Sequence, residues 1–289
     1  MALMPFIVGS PRSGTTLVRL MLDSHPLLAI PPETHFIPAL AALGTDGDLR
    51  DRFWTTITSF PPGVSAWGDF GLSQESFKAE LARIEPFNVS DGLRCFYRAY
   101  AREHGKPAYG DKTPGYTHHL PLISALLPES AVIHVIRDGR DASLSLREMW
   151  FSPGNDIETQ ARHWRDNVLA ARAGAASCAR YTEVRLEDLL TRTEPELARL
   201  CAFLDMPFEP AMLRYFERAP QRLNEPPERW RQDGTLAITR EARVQQQWRT
   251  TTPPDLTRIG QWRTLMPADE VRTFERVAGD LLRSLGYSG

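Results

Sequence analysis

The chain has 289 residues, of which 42% are hydrophobic and 24% charged, and its formal net charge is −2. That is an ordinary globular composition, long enough for one large domain or two modest ones, and its charge balance gives no reason to expect nucleic acid or an anionic membrane as a partner. No apolar run approaches the ~20 residues that span a bilayer.

In chain order, the apolar run 5–8 predicts a buried strand that ends at Gly9, and residues 17–22 open an amphipathic helix reaching about Asp23. Because the strand follows Met1 so closely, no secretory leader is expected. Between strand and helix lies Gly9-Ser-Pro-Arg-Ser-Gly-Thr-Thr16. This is the strand–loop–helix setting of a P-loop, in which glycines let backbone N–H groups reach phosphate oxygens at a helix N-terminus. A nucleoside triphosphatase carries lysine where Thr15 stands, and the only cation in this loop is Arg12. The loop therefore suits a phosphate-bearing ligand other than an ordinary triphosphate. Pro26 breaks the helix, residues 29–33 are extended, and a helical pattern resumes over 34–43.

Segment 44–70 is rich in Gly, Pro, Trp and Phe without a period, which predicts a surface insertion or lid. Helices follow at 73–84 and 90–104, each led by a serine suited to cap it. A short strand, 107–110, runs into Asp111-Lys112-Thr113-Pro114, and a helix is expected over 118–127. Residues 131–136 form the clearest buried strand, followed by helices at 140–150 and 157–176, a strand at 181–186 and a helix at 194–204. Segment 220–234 reads as a mobile loop, and the last helix spans 267–285, with Pro267 in its first turn and Gly286 past its end. Strands alternating with helices predict an α/β fold: a single P-loop-type domain with a central parallel sheet, helices on both faces and lid-like insertions at 44–70 and 220–234. Cys95, Cys178 and Cys201 are widely spaced and odd in number, which reads as reduced thiols and a cytoplasmic location.

A second cation site lies in Val132-Ile-His-Val-Ile-Arg-Asp-Gly-Arg-Asp-Ala-Ser-Leu-Ser-Leu146. Arg137 stands at the carboxyl end of the strongest strand, where open α/β sheets bind ligands, and Ser145 follows about two helical turns on. A guanidinium forks a phosphate with two N–H donors and a serine hydroxyl adds a third; the alternative is a surface Arg137–Asp138 ion pair. Two phosphate sites on successive strands suit a nucleotide phosphorylated at both ends of its ribose. With these motifs the chain resembles the sulfotransferases that use 3′-phosphoadenosine 5′-phosphosulfate (PAPS), in particular the bacterial members close to the tyrosylprotein enzymes, which have Pro-Arg-Ser-Gly-Thr-Thr in the loop.

The resemblance implies that Ser13, Gly14, Thr15 and Thr16 hold the 5′-phosphate, that Arg12 contacts the transferring sulfuryl group, and that Arg137 and Ser145 hold the 3′-phosphate. It implies Glu33 as the base that deprotonates an acceptor hydroxyl, with a partner of a helix dipole as its alternative role. Lys112 is implied as the cation on the sulfuryl group and leaving oxygen; a surface lysine is the alternative, although only three lysines occur in the chain. His118 and His119 are second-choice bases. The co-substrate is PAPS, no metal is implied, and the acceptor is a small molecule or peptide. Three features depart from the family: Leu17 replaces an aromatic residue, residues 186–188 read Leu-Glu-Asp where a tyrosine is usual, and the late Arg-Lys-Gly loop is missing, with Thr257 and Arg258 as candidate substitutes. Trp54, Phe60, Trp67, Phe70 and Trp230 favour a partly apolar acceptor. Two rival readings are a P-loop kinase with Asp138 on magnesium and a non-catalytic nucleotide-binding module.

Overall fold

The computed structural model describes residues 3–44, 47–147 and 149–287. Its centre is a parallel four-stranded sheet of β1 (Met4–Val8), β4 (Asp111–Lys112), β5 (Ser130–Ile136) and β6 (Arg180–Arg185), in the order β4–β1–β5–β6. Two short strands, β2 (Leu28–Ala29) and β3 (Ala108–Tyr109), form a separate parallel pair beside it. Side chains alternate across the pleat. Met4, Phe6, Val8 and Val132 therefore enter one apolar cluster, while Ile7, Ala131, Ile133 and Val135 enter another. A sheet apolar on both faces must be covered on both. The helix Thr15–Asp23 covers one face with Val18, Met21 and Leu22, and the helix Val89–Glu103 covers the other with Leu93, Phe96 and Tyr97. Each such fully buried large side chain contributes about 1.5–3 kcal/mol relative to exposure.

β1 lies between β4 and β5, so the chain leaves β1 to one side and returns on the other. The crevice at the carboxyl ends of β1 and β5 is the topological switch point where α/β sheets bind ligands. The α/β class and the central parallel sheet match the expectation from sequence. At Gly110 the chain passes from the β2–β3 pair into the main sheet, and a Cβ there would approach Pro5 Cγ to 2.7 Å, so only glycine lets the two backbones lie this close.

Several elements differ from the sequence reading. The helix expected over 34–43 is only Ile37–Ala41, because His35 takes a left-handed φ of 54° and Thr34 is drawn into hydrogen bonds with β4 and its extension. Segment 44–70 holds the helix Leu49–Ser59 and the 3₁₀ turn Trp67–Phe70, where no periodic structure was expected. Phe53, Ile57, Trp67 and Phe70 are buried against Phe36, Phe77 and Phe96. Aromatic side chains that meet a core from several directions leave no single helical stripe in the sequence. The cap of Val89–Glu103 is Asn88, which accepts from Asp91 N–H, and not Ser90; Ser73 does cap Gln74–Leu81. Residues 114–118 form a 3₁₀ turn ahead of the helix Leu120–Leu126. The helix after β5 is Gly139–Leu146. Segment 220–234 holds most of the helix Ala219–Asn224 and the strand Arg229–Trp230, which pairs antiparallel with Leu236–Ile238, where only a loop was expected. Thr45 and Asp46 of the expected insertion, and Glu148 of the expected helix 140–150, lie outside the described residues. Cys95, Cys178 and Cys201 are free thiols, and among the described residues no helix is long and apolar enough to cross a membrane.

Candidate active site

The loop after β1 turns through Arg12 (φ 67°) and Gly14 (φ 96°), both in the left-handed region. The φ of Gly14 favours glycine, and a Cβ there would also push Leu186 Cδ1, 2.6 Å away, aside. The helix Thr15–Asp23 starts at Gly14 without a side-chain cap, which leaves its first N–H groups and the positive end of its dipole for an anion. Ser13 is 1% exposed, and its Oγ is buried with no hydrogen-bond partner among the described residues. A buried hydroxyl left unmatched is costly, and one in an anion-binding loop fits a phosphate oxygen. The loop opens on a cleft of about 600 Å³.

Arg12, Thr15, Thr16, Glu33, Lys112, Arg137 and Ser145, widely separated in sequence, all line this cleft. Two local devices bring Glu33 and Lys112 together. Lys112 pairs in register with Ile7 of β1, and its side chain points to the loop helix, where Nζ donates to Thr16 Oγ1 at 3.2 Å. Its neighbours Asp111 and Thr113 face the opposite way and seize Thr34: Thr34 Oγ1 donates to Asp111 Oδ2 at 2.7 Å, and Thr34 N–H donates to Thr113 Oγ1 at 3.0 Å. Tyr97 completes the buried network by donating to Asp111 at 2.8 Å, and Tyr116 OH lies 2.8 Å from Thr34 Oγ1. With Thr34 fixed, Glu33 is carried to Lys112, whose Nζ donates to Oε1 at 2.5 Å, and His35 Nε2 lies 2.9 Å from Oε2.

Burial works against ionisation of Glu33, but the Lys112 ammonium and His35 overcome it and hold the carboxyl well below the usual carboxylate range. Burial lowers the Lys112 pKa, against the pull of Glu33. Asp111 behaves oppositely: burial raises its pKa despite its hydroxyl donors. The arrangement is a carboxylate–ammonium pair in the cleft, supported from behind by the buried hydrogen bonds of Asp111 to Thr34 and Tyr97.

Arg137 is 5% exposed and donates to the carbonyls of Arg12 (3.2 Å) and Arg258 (3.1 Å). Arg12 Nε donates to Ser145 Oγ at 3.1 Å, which joins the two predicted phosphate motifs directly. Thr257 is tied to Asp255 in a turn, while Arg258 and Arg249 line the cleft beside Arg137. Burial, then Arg249 and Arg137, lower the Arg258 pKa, so three guanidinium groups crowd one end of the cleft. Asp141 and Asp255 offset part of that crowding, and an anion seated among the guanidinium groups would relieve more of it. Asp138 caps the helix Gly139–Leu146 through Arg140 N–H and pairs with the Arg140 guanidinium at 2.8 Å, so the alternative Arg137–Asp138 surface pair is not formed.

His118 is exposed, and neither it nor His119 lines the cleft. Trp54 and Phe60 pack against the core, and Trp67 and Phe70 lie within it. The sequence reading missed the helix Arg240–Gln247 and the turn Trp248–Thr251, which bring Arg243, Gln246, Arg249 and Thr250 to the cleft. The available signal was Thr239 ahead of a run of helix formers; its Oγ1 accepts from Ala242 N–H at 3.0 Å. It also missed Arg19, Arg222 and Arg229. Among the described residues there is no group of three or more His, Cys, Asp or Glu side chains placed to hold a metal ion.

Comparison with known proteins adds four findings. The model of the Sulfotransferase family matches residues 6–210. The nodulation protein NoeE of Sinorhizobium fredii is 29% identical, in an alignment covering 98% of this chain and 65% of that protein. Protein-tyrosine sulfotransferase A of Caenorhabditis elegans is 23% identical over 98% of this chain and 66% of its own length, so the chain spans just under two thirds of each relative. In fold, the sulfotransferase domain from the curacin biosynthetic pathway superimposes with a TM-score of 0.61 at 20% identity, over 97% of this chain and 98% of that one.

Proposed function

The chain belongs to the sulfotransferase family, and from that premise we propose that it transfers a sulfuryl group from PAPS to a hydroxyl, or amine, of a small-molecule or peptide acceptor. The observation that carries the proposal is the Glu33–Lys112 pair, 2.5 Å apart and bonded through Lys112 to Thr16 of the loop helix, in the same cleft as Arg12 and Arg137. PAPS supplies, when bound, an activated sulfuryl group on a phosphate leaving group. The loop N–H groups, Ser13, Thr15 and Thr16 hold the 5′-phosphate, and Arg12 lies beside them for the sulfuryl oxygens. Arg137 and Ser145 hold the 3′-phosphate, with Arg258 and Arg249 adding positive charge at that end. Glu33, ionised at neutral pH, takes the proton of the acceptor hydroxyl, and Lys112 neutralises charge on the departing oxygen.

A magnesium-dependent kinase reading is less well supported, because Asp138 is engaged by Arg140 and the loop has no lysine. Trp150, Phe151, Tyr215 and Ile238 on the cleft wall support a partly apolar acceptor. The free cysteines support a reducing compartment such as the cytoplasm.

Two cation sites predict a specific preference. The product nucleotide, 3′-phosphoadenosine 5′-phosphate, should bind at least about tenfold more tightly than adenosine 5′-phosphate, since each charge-assisted bond is worth ~1.5–3 kcal/mol. Arg137→Ala should remove most of that difference. Calorimetry with both nucleotides tests it, and equal affinities in the parent protein would refute the two-phosphate assignment. Incubation with labelled PAPS and an extract of the source organism then identifies the acceptor.

A further inference from the structure

Residues 219–262 form one side of the cleft, yet none of residues 227–261 is buried. Val244 and Ile259 pack against the core while only partly buried, and the other attachments of the segment are polar, so its local stability is low. Its nucleotide end has its own attachments. Gln246 and Arg258 carbonyls accept from Arg12 and Arg137, Tyr215 OH donates to Thr252 O, and Asp141 accepts from Gly260 and Trp262 N–H at 2.7 and 2.8 Å. The other end, residues 222–243, lies away from the phosphate loop. Arg222, which begins it, bonds Asp23 at the far end of the loop helix, a nine-residue helix about 13 Å long. This is the part of the wall left for an acceptor.

Asp23 holds Arg222 at its start, and beyond Arg222 a second carboxylate, Asp69, ties that part to the core. Asp69 sits in the turn Trp67–Phe70, which is held by Trp67 against Phe77 and by Phe70 against Phe36 and Phe96. Its side chain is 1% exposed. Arg243 donates to Oδ1 at 2.7 Å and to Oδ2 at 2.5 Å, and Arg229 donates to Oδ2 from both Nε and its terminal nitrogen. Arg243 also donates to Pro227 O at 3.1 Å, beside Gly68. Both arginines line the cleft. We infer that Asp69 is a positioning residue: from the aromatic core it sets the place of the acceptor wall through Arg229 and Arg243, while the nucleotide end is set independently. This inference rests on the sulfuryl-transfer reading for its functional meaning, and on geometry alone for the anchoring.

The test is hydrogen exchange on the full-length protein and its Asp69→Asn variant, followed by kinetics with labelled PAPS and tyramine as the acceptor probe. In the variant, amide protection over residues 226–243 should fall by roughly tenfold, with residues 255–262 and the central sheet unchanged. KM for tyramine should rise several-fold at nearly constant kcat, 3′-phosphoadenosine 5′-phosphate should bind as in the parent, and Asp69→Glu should restore part of the protection. Unchanged exchange over 226–243, or loosening spread evenly through the sheet, overturns the inference. If Asp69→Asn does not fold, Arg243→Gln, which leaves Asp69 paired with Arg229, should still loosen 226–243 selectively; equal protection there overturns it as well. A parent protein that turns over no tyramine counts against the transfer reading with that probe, and the exchange map still decides the anchor.

Discussion

Glu33→Gln is expected to lower turnover by ~10²–10⁴-fold, the range for loss of a positioned general base. The amide keeps the shape of the carboxyl and still accepts from Lys112, so the cleft should survive and affinity for 3′-phosphoadenosine 5′-phosphate should hold. The geometry sharpens the pH dependence. Because Lys112 and His35 hold the Glu33 carboxyl well below its ordinary value against the opposing effect of burial, the acid limb of the parent's rate profile should fall below the value of about 4.3 typical of a free glutamate. A depressed carboxylate pKa stabilises the fold above its unfolded value, and that stability is lost as pH falls through the folded value. The variant should therefore lose less stability on acidification than the parent. Stopped assays across pH, paired with thermal melts, check both statements. Full activity in Glu33→Gln together with loss in His119→Ala would reassign the base, even though His119 lies outside the cleft.

Lys112→Ala is expected to lower turnover by roughly 10²-fold or more, the cost of losing one donor to a developing oxyanion. A cation near the bridging oxygen gains interaction energy as charge builds there, which lowers the barrier without tightening ground-state binding. Nucleotide affinity should change little, since Arg12, the loop amides and Arg137 still hold both phosphates. The variant also strands Glu33 without its closest cation, so its carboxyl should titrate higher than in the parent. Single-turnover transfer and calorimetry on the same sample separate the outcomes: binding that collapses in step with the rate makes Lys112 a phosphate anchor, and an unchanged rate makes it a bystander.

What could be read from the sequence follows a physical line. The loop glycines, Arg12 and the apolar strand ahead of Arg137 are local patterns, so both phosphate motifs and the strands that carry them are legible in the order of residues alone. Glu33 and Lys112 were legible as residues only through resemblance. Their meeting depends on Thr34 bonding Asp111 and Thr113 across 77 and 79 residues of chain, which no local period encodes. Segment 44–70 misled because its aromatic side chains serve a core reached from several sides. The wall at 240–251 was missed for the opposite reason: it is helical and polar with no buried residue, so no apolar stripe announces it.

The close crossing of Gly110 over Pro5 has a consequence for how this chain tolerates changes in length. Downstream of that crossing, Asp111, Lys112 and Thr113 point alternately to the tyrosine network and to the loop helix. Adding or removing one residue between Gly110 and Lys112 would interchange those two sides, since side chains repeat every second position along a strand. The lysine would then meet Tyr97 and Thr34, and a carboxylate or hydroxyl would face Thr16. Such a protein should keep its sheet and its grip on the nucleotide while losing transfer altogether, a result that circular dichroism, calorimetry and a turnover assay would register together. The spacing between Gly110, held on Pro5, and Lys112 is therefore what keeps the lysine on the side of the loop helix.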